Sequence, residues 1–205
     1  MLQIKDTLAQ EKALTEKQLI KLAKLRKRYH VTEKTYSEST RAIEILLLRA
    51  DIIPQAMVLA QGALESGWGT SRFAVEANNL FGQWCYKKGC GLVPERRAAD
   101  AAHEVQLFSS IEAALDAYYR NINTHNAYRE LRQLRAALRA QDEQLTGMAL
   151  VEGLSRYSAR GMAYVEELRL VIRVNDFENV QLKLADVDIE SNSDTTETVT
   201  QQNSI

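Results

Sequence analysis

Several features that would assign a function directly are missing from this chain. No apolar run approaches the ~20 residues that a membrane span requires. The N-terminal MLQIKDTLAQEKALTEKQLIKLAKLRKRYH lacks the uninterrupted apolar core of a secretory signal; if the protein works outside the cytoplasm, its export segment lies outside this sequence or export uses another route. There is no Gly-rich phosphate cradle, and His103 and His125 have no Ser, Cys or acid partner at a telling spacing. Two cysteines and one neighbouring His103 supply too few ligand types for a zinc site. The expectation is therefore no metal and no cofactor. Basic residues never interleave with aromatics as they do along a nucleic-acid groove, which argues against nucleic acid as a partner. Internal repeats are also lacking.

What is present suits one substantial core with small appendages. The 205 residues are 45% hydrophobic and 26% charged, ordinary values for a globular domain. The net charge of −1 is unevenly spread. Residues 1–30 carry Lys5, Lys12, Lys17, Lys21, Lys24, Arg26, Lys27 and Arg28 against Asp6, Glu11 and Glu16. From residue 185 onward there are acids and no Lys or Arg. A mildly basic body suits a polyanionic partner, and a solvated surface accounts for it equally. Cys85 and Cys90 stand in WCYKKGCGL, where Gly89 and Gly91 permit a tight turn; a disulfide there implies an oxidising compartment, and free thiols in a cytosolic loop are the alternative.

Residues 4–28 read as a basic amphipathic helix on Ile4, Leu8, Leu14, Leu19, Leu22 and Leu25, either docked on the body or an arm towards an anionic surface. A second helix is predicted over Glu38–Leu48. Two short strands follow, in LFGQW and EVQLF, with an irregular loop or hairpin over Cys85–His103 between them. Ser109 with Glu112 has the spacing of a capping box, opening a helix through Ile122. Further helices are predicted over Ala127–Ala140, Asp142–Leu154 (Asp142 as cap) and from Met162 to near Asn175. Asp116 and Arg120 form a routine i,i+4 pair. The domain plan is a basic helix over residues 1–32, a body over 33–180 and an acidic, disordered tail over 181–205.

The chain is organised around Ile53–Trp84. Pro54 suits the start of a helix, Met57, Leu59, Ala60, Ala63 and Leu64 give it an apolar face, and Gly67 stops it. Glu65 falls in the last turn, beside Trp68. The helix dipole and an apolar wall both disfavour its charge there, and so push its pKa up, as a general acid near neutral pH requires. A solvated Glu at a helix end is the plainer alternative.

LAQGALESGWGTSRFA followed by NNLFGQW closely resembles the signature of glycoside hydrolase family 73, the bacterial N-acetylglucosaminidases, and the Cys-containing stretch after it looks most like the Bax-like branch. The resemblance covers roughly residues 35–177. It implies an α+β, mainly helical, lysozyme-like fold with a small β-hairpin lobe. The implied substrate is the β-1,4 bond after N-acetylglucosamine in peptidoglycan strands, and the implied location is the periplasm or cell envelope. Glu65 matches the general acid. Asn79, Leu80, Phe81 and Gly82 match the segment beside it, with Trp68 and Tyr164 as further substrate-binding positions. Tyr157 matches an active-site tyrosine. Tyr164 matches a second, although YSARGMAY lacks the family's Asp-Pro and a core aromatic is the favoured account of it.

A glycosidase normally uses a second carboxyl group. Glu95, in VPERR, is the preferred catalytic partner over Glu104, which is expected to be a solvent-facing strand residue. The substrate's own N-acetyl group, steadied by Tyr157, is a third route. Two other functions remain open at this stage: a lytic transglycosylase or muramidase of related fold, and a wall-binding module with a dead cleft.

Overall fold

The computed structural model describes residues 4, 5, 7, 10, 13–95 and 102–180. The predicted tail 181–205 lies outside the described residues, as do parts of the first predicted helix and residues 96–101 of the β-lobe excursion. Among the described residues no helix is long and apolar enough to cross a membrane.

The architecture is α+β, mainly helical and lysozyme-like. Helix α1 (Glu16–Arg28) starts from a complete capping box, Thr15 with Gln18. It docks on α2 (Ser39–Arg49): Ile4, Leu22 and Val31 share a small core with Ala42, Ile43 and Leu46. Helix α3 (Gln55–Ser66), the Glu65 helix, starts after Pro54 and ends at Gly67 in the left-handed region. A short α4 (Arg72–Ala77) leads into the sheet, and α5 (Ile111–Thr124), α6 (Arg129–Ala140), α7 (Gly147–Leu150) and α8 (Met162–Val174) complete the helical body. Single 3-10 turns lie at Asn126–Tyr128, Val151–Leu154 and Phe177–Asn179. The main core wraps α3, with Met57 and Ala60 packed among Tyr118, Ile122, Leu131, Leu150, Leu154, Val165 and Leu168.

The β lobe differs from the two strands predicted. Strands β1 (Trp84–Cys85), β2 (Gly91–Leu92) and β3 (Glu104–Gln106) form an antiparallel sheet in the order β1-β3-β2. Leu92 and Trp84 both face Val105 in register. The extra strand depends on Gly91, because a Cβ there would run into the Val105 carbonyl. Composition alone made this stretch look irregular.

Two predicted helix starts also move. The cap of α5 is Ser110, which accepts from Ala113 N–H at 3.2 Å, one residue later than Ser109, since Phe108 N–H is still tied to the Ala77 carbonyl. Asp142 caps nothing and sits at φ 55°; Thr146 caps α7 instead. The predicted 142–154 helix is replaced by a short helix and a 3-10 turn because two glycines bring backbones into contact. Gly147 abuts Ala56 and Met57 of α3, and Gly153 abuts Leu131 of α6.

That close approach is testable. A Cβ at Gly153 would stand 2.5 Å from Leu131 Cα and 2.6 Å from its Cβ. Gly153→Ala is expected to destabilise the fold by about 1–3 kcal/mol through overpacking. Chemical denaturation should show a lower midpoint with an unchanged slope.

Candidate active site

Glu65 lies in the last turn of α3, half-buried. The chain reverses immediately after it: Gly67 and Trp68 both have positive φ, and Ser66 Oγ accepts from Gly69 N–H at 2.7 Å while donating to the Gly62 carbonyl. Burial pushes the Glu65 pKa up and the nearby Glu167 adds to this, whereas a hydrogen bond from Tyr164 and the charge of Arg160 oppose it. Arg160 and Glu167 are themselves paired at 2.6 Å.

One carboxylate oxygen is fixed by a chain of buried hydrogen bonds. Tyr118 Oη donates to Gln61 Oε1 (2.6 Å), Gln61 Nε2 donates to Tyr164 Oη (3.1 Å), and Tyr164 Oη donates to Glu65 Oε1 (2.8 Å). Gln61 is fully buried. Its amide oxygen is taken by Tyr118, so its NH2 faces Tyr164, and the Tyr164 proton is left pointing at Glu65. The other oxygen, Oε2, lies beside Gly82, where an added Cβ would stand 3.8 Å away. Neither Gln61 nor Tyr118 was singled out from the sequence. A Gln four residues before Glu65 on an apolar helix shares its face, which is the signal that marks it.

Both tyrosines stand in the layer of rings behind Glu65. Tyr164, in the first turn of α8, is 3% exposed and belongs to the main core, and it is also bonded to both Gln61 and Glu65. Tyr157 lies one ring further away, stacked on Tyr164 at 5.5 Å between centroids, and its hydroxyl donates to the Phe81 carbonyl at 3.0 Å. Burial pushes both phenols above their ordinary range, so both are neutral donors at neutral pH.

The NNLFG segment is mostly architectural. Asn79 is 1% exposed; its amide donates to the carbonyls of Gln83 (2.9 Å) and Gln106 (2.8 Å) and accepts from Gln83 N–H. Phe81 is buried and stacks on Tyr118 at 4.1 Å. These side chains hold the lobe to the body and leave little for a substrate. Leu80 packs half-buried against the core, Gly82 borders the carboxyl, and Trp68 is 59% exposed with its ring 6.4 Å from Phe177.

In the β lobe Cys85 and Cys90 are bonded to each other. Glu104 is buried, contrary to the solvent-facing position expected for it, and accepts from Gly89 N–H (3.0 Å) and Gly91 N–H (2.9 Å). It braces the disulfide turn. Cys85, Cys90 and Glu104 also bring ligand-type atoms within 4.8 Å of one another, but the sulfurs are joined and the carboxylate is occupied, so the group does not fit a metal. Glu95 follows Pro94 at the lobe's edge and is exposed.

A family model described as mannosyl-glycoprotein endo-beta-N-acetylglucosaminidase (glucosaminidase) matches residues 40–177. The chain is 41% identical over 146 residues to the protein bax of Escherichia coli (strain K12), an alignment covering 70% of this chain and 50% of that protein. The chain thus spans about half the length of this relative. No solved structure matches.

The raised Glu65 pKa has a sign that can be measured. Stability linked to such a group is complete below the unfolded carboxyl range, near ~4.3, and is lost as pH rises through the folded pKa. Glu65→Gln removes the titration while keeping an acceptor for Tyr164. Thermal scans should place the variant's Tm above that of wild type at about pH 8, with the difference gone by about pH 4.

Proposed function

Since the chain belongs to the glucosaminidase family, in its Bax-like branch, we propose that it is a peptidoglycan hydrolase. Its reaction is endo-β-N-acetylglucosaminidase cleavage of the β-1,4 bond after N-acetylglucosamine, with Glu65 as general acid. The observation that carries this reading is the half-buried Glu65 carboxyl, one oxygen of which accepts from a buried tyrosine. With Oε1 held as an acceptor, the transferable proton belongs on Oε2, the oxygen beside Gly82.

That proton passes to the glycosidic oxygen as the C1–O bond breaks, leaving positive charge on the sugar ring and a carboxylate on Glu65. The Tyr164 hydroxyl strengthens its hydrogen bond as this charge appears, because bonds to ionised acceptors are about twice as strong as neutral ones. Water then completes hydrolysis, activated by Glu95 or preceded by attack of the substrate's N-acetyl group. Glu95 acts from the edge of the β lobe, which must close over a bound strand. The disulfide supports an envelope location, where thiols are oxidised.

Incubation of the protein with purified peptidoglycan tests the reaction directly. Mass spectrometry should show fragments with reducing N-acetylglucosamine ends, and Glu65→Gln should lower turnover by at least ~10²–10⁴. Anhydromuramyl ends would assign a lytic transglycosylase instead. Unaltered glycan would leave a wall-binding module.

The second group is decided by a matched pair of variants. Glu95→Gln is expected to reduce kcat at least tenfold. Glu104→Gln is expected to loosen the disulfide turn and raise KM with a smaller effect on kcat, because its carboxylate is committed to Gly89 and Gly91. A normal rate in Glu95→Gln would transfer the role to the substrate's N-acetyl group.

A further inference from the structure

Helix α6 carries arginines at 129, 132, 135 and 139, and its two halves are neutralised differently. In the C-terminal half, Arg135 faces Asp51 and donates to the Leu48 and Ile52 carbonyls, while Arg139 pairs with Asp51 at 2.9 Å. In the N-terminal half Arg129 and Arg132 have no carboxylate partner among the described residues, whereas Arg41 of α2, across from them, is paired with Glu44 at 2.7 Å. Arg132 is 4% exposed and uses only Nη1, donating to the carbonyls of Ile122 (2.8 Å) and His125 (2.9 Å). Arg49 uses only Nη1, towards the Tyr29 and His30 carbonyls.

The remaining donors border a pocket of about 350 Å³ between α2 and α6. Arg41, Arg49, Arg129 and Arg132 line it, with the amides of Asn126 and Gln133 and no acidic residue. Arg49 and Arg129 repel Arg132, while Arg41 is paired with Glu44. Burial, followed by the charges of Arg49, Arg135 and Arg129, pushes the Arg132 pKa down to about 10. A bound oxyanion would relieve this, and the planar guanidinium fork matches carboxylate and phosphate oxygens two at a time.

We infer that this arginine pocket is an oxyanion-binding site, and that its ligand is a carboxylate of the peptide stems borne by the glycan strand. The identity of the ligand rests on the proposed glycan substrate; the existence of the site does not. The pocket and the candidate active site lie on either side of the 3-10 turn Asn126–Tyr128: Asn126 lines the pocket, and the buried Tyr128 ring lies 5.9 Å from that of Tyr157. A stem carried by a strand at Glu65 would pass around the outside of this turn to set its carboxylate against the arginines.

The test uses the full chain and an Arg41→Ala/Arg129→Ala double variant, both positions being exposed and outside the core. Calorimetric titration with inorganic phosphate, at ionic strength held constant with NaCl, should show binding that weakens at least tenfold in the variant. Kinetics should show a lower KM on stem-bearing strands than on strands stripped by an amidase, a preference that collapses in the variant. Equal phosphate binding by both proteins, or none by wild type, would overturn the site. Phosphate binding without any stem preference would overturn the stem carboxylate and assign the pocket to free phosphate. Phosphate binding by a protein that cuts no strand would count against the glycosidase reading and support the pocket.

Discussion

The arrangement turns on a single requirement: a carboxyl group at the end of an apolar helix must be kept from full hydration without being left unsatisfied. Burying a carboxylate with no partner would be prohibitive, and solvating it freely would return it to the ordinary carboxylate range. The tyrosine hydroxyl on Oε1 meets the first demand. The packed helices around α3 meet the second, since Phe81, Tyr118, Tyr157 and Tyr164 enclose the end of the helix with rings. Each ring is itself held through a hydroxyl or a stack, so the geometry at Glu65 follows from packing several layers deep.

The same region joins the lobe to the body. Asn79 ties the turn after α4 to β3, and Asn78 donates to the Phe108 carbonyl at 3.0 Å. Tyr157 grips the Phe81 carbonyl from the opposite side. The loop that passes Glu65 is therefore clamped between the turn that precedes α8 and the sheet. Motion of the lobe would have to occur beyond these anchors, towards Pro94 and Glu95.

Much of this was legible in sequence, for identifiable reasons. Apolar periodicity with terminal signals located α3, α5, α6 and α8 to within a few residues, and Gly67 marked where the Glu65 helix stops. The pattern failed where tertiary contact replaced local preference. Asp142 looks like a cap, but the chain needs another five residues before Gly147 can settle against α3. Strand β2 was hidden because its pairing depends on a glycine facing a carbonyl, which has no periodic signature. At the site, residue type suggested chemistry but not who touches whom. Glu104 and Asn79 bear reactive-looking groups that are turned inward as braces, while Gln61, which bears on Glu65 through Tyr164, looked like one polar residue in an apolar helix.

The turn at Cys85–Cys90 is secured twice. A bond between two side chains closes a loop worth about 2 kcal/mol in chain entropy, and independently a buried carboxylate gathers two backbone N–H groups of the same loop. Charge-assisted bonds of this type are worth about 1.5–3 kcal/mol each, so the acid holds the turn at least as strongly as the bridge does. Such redundancy makes the turn buffered against mutation: a lineage could lose the cysteines or the acid singly and retain the lobe, but loss of both would release it. Variation at Cys85, Cys90 and Glu104 should accordingly be coupled, with the acid fixed wherever the sulfur bridge is gone.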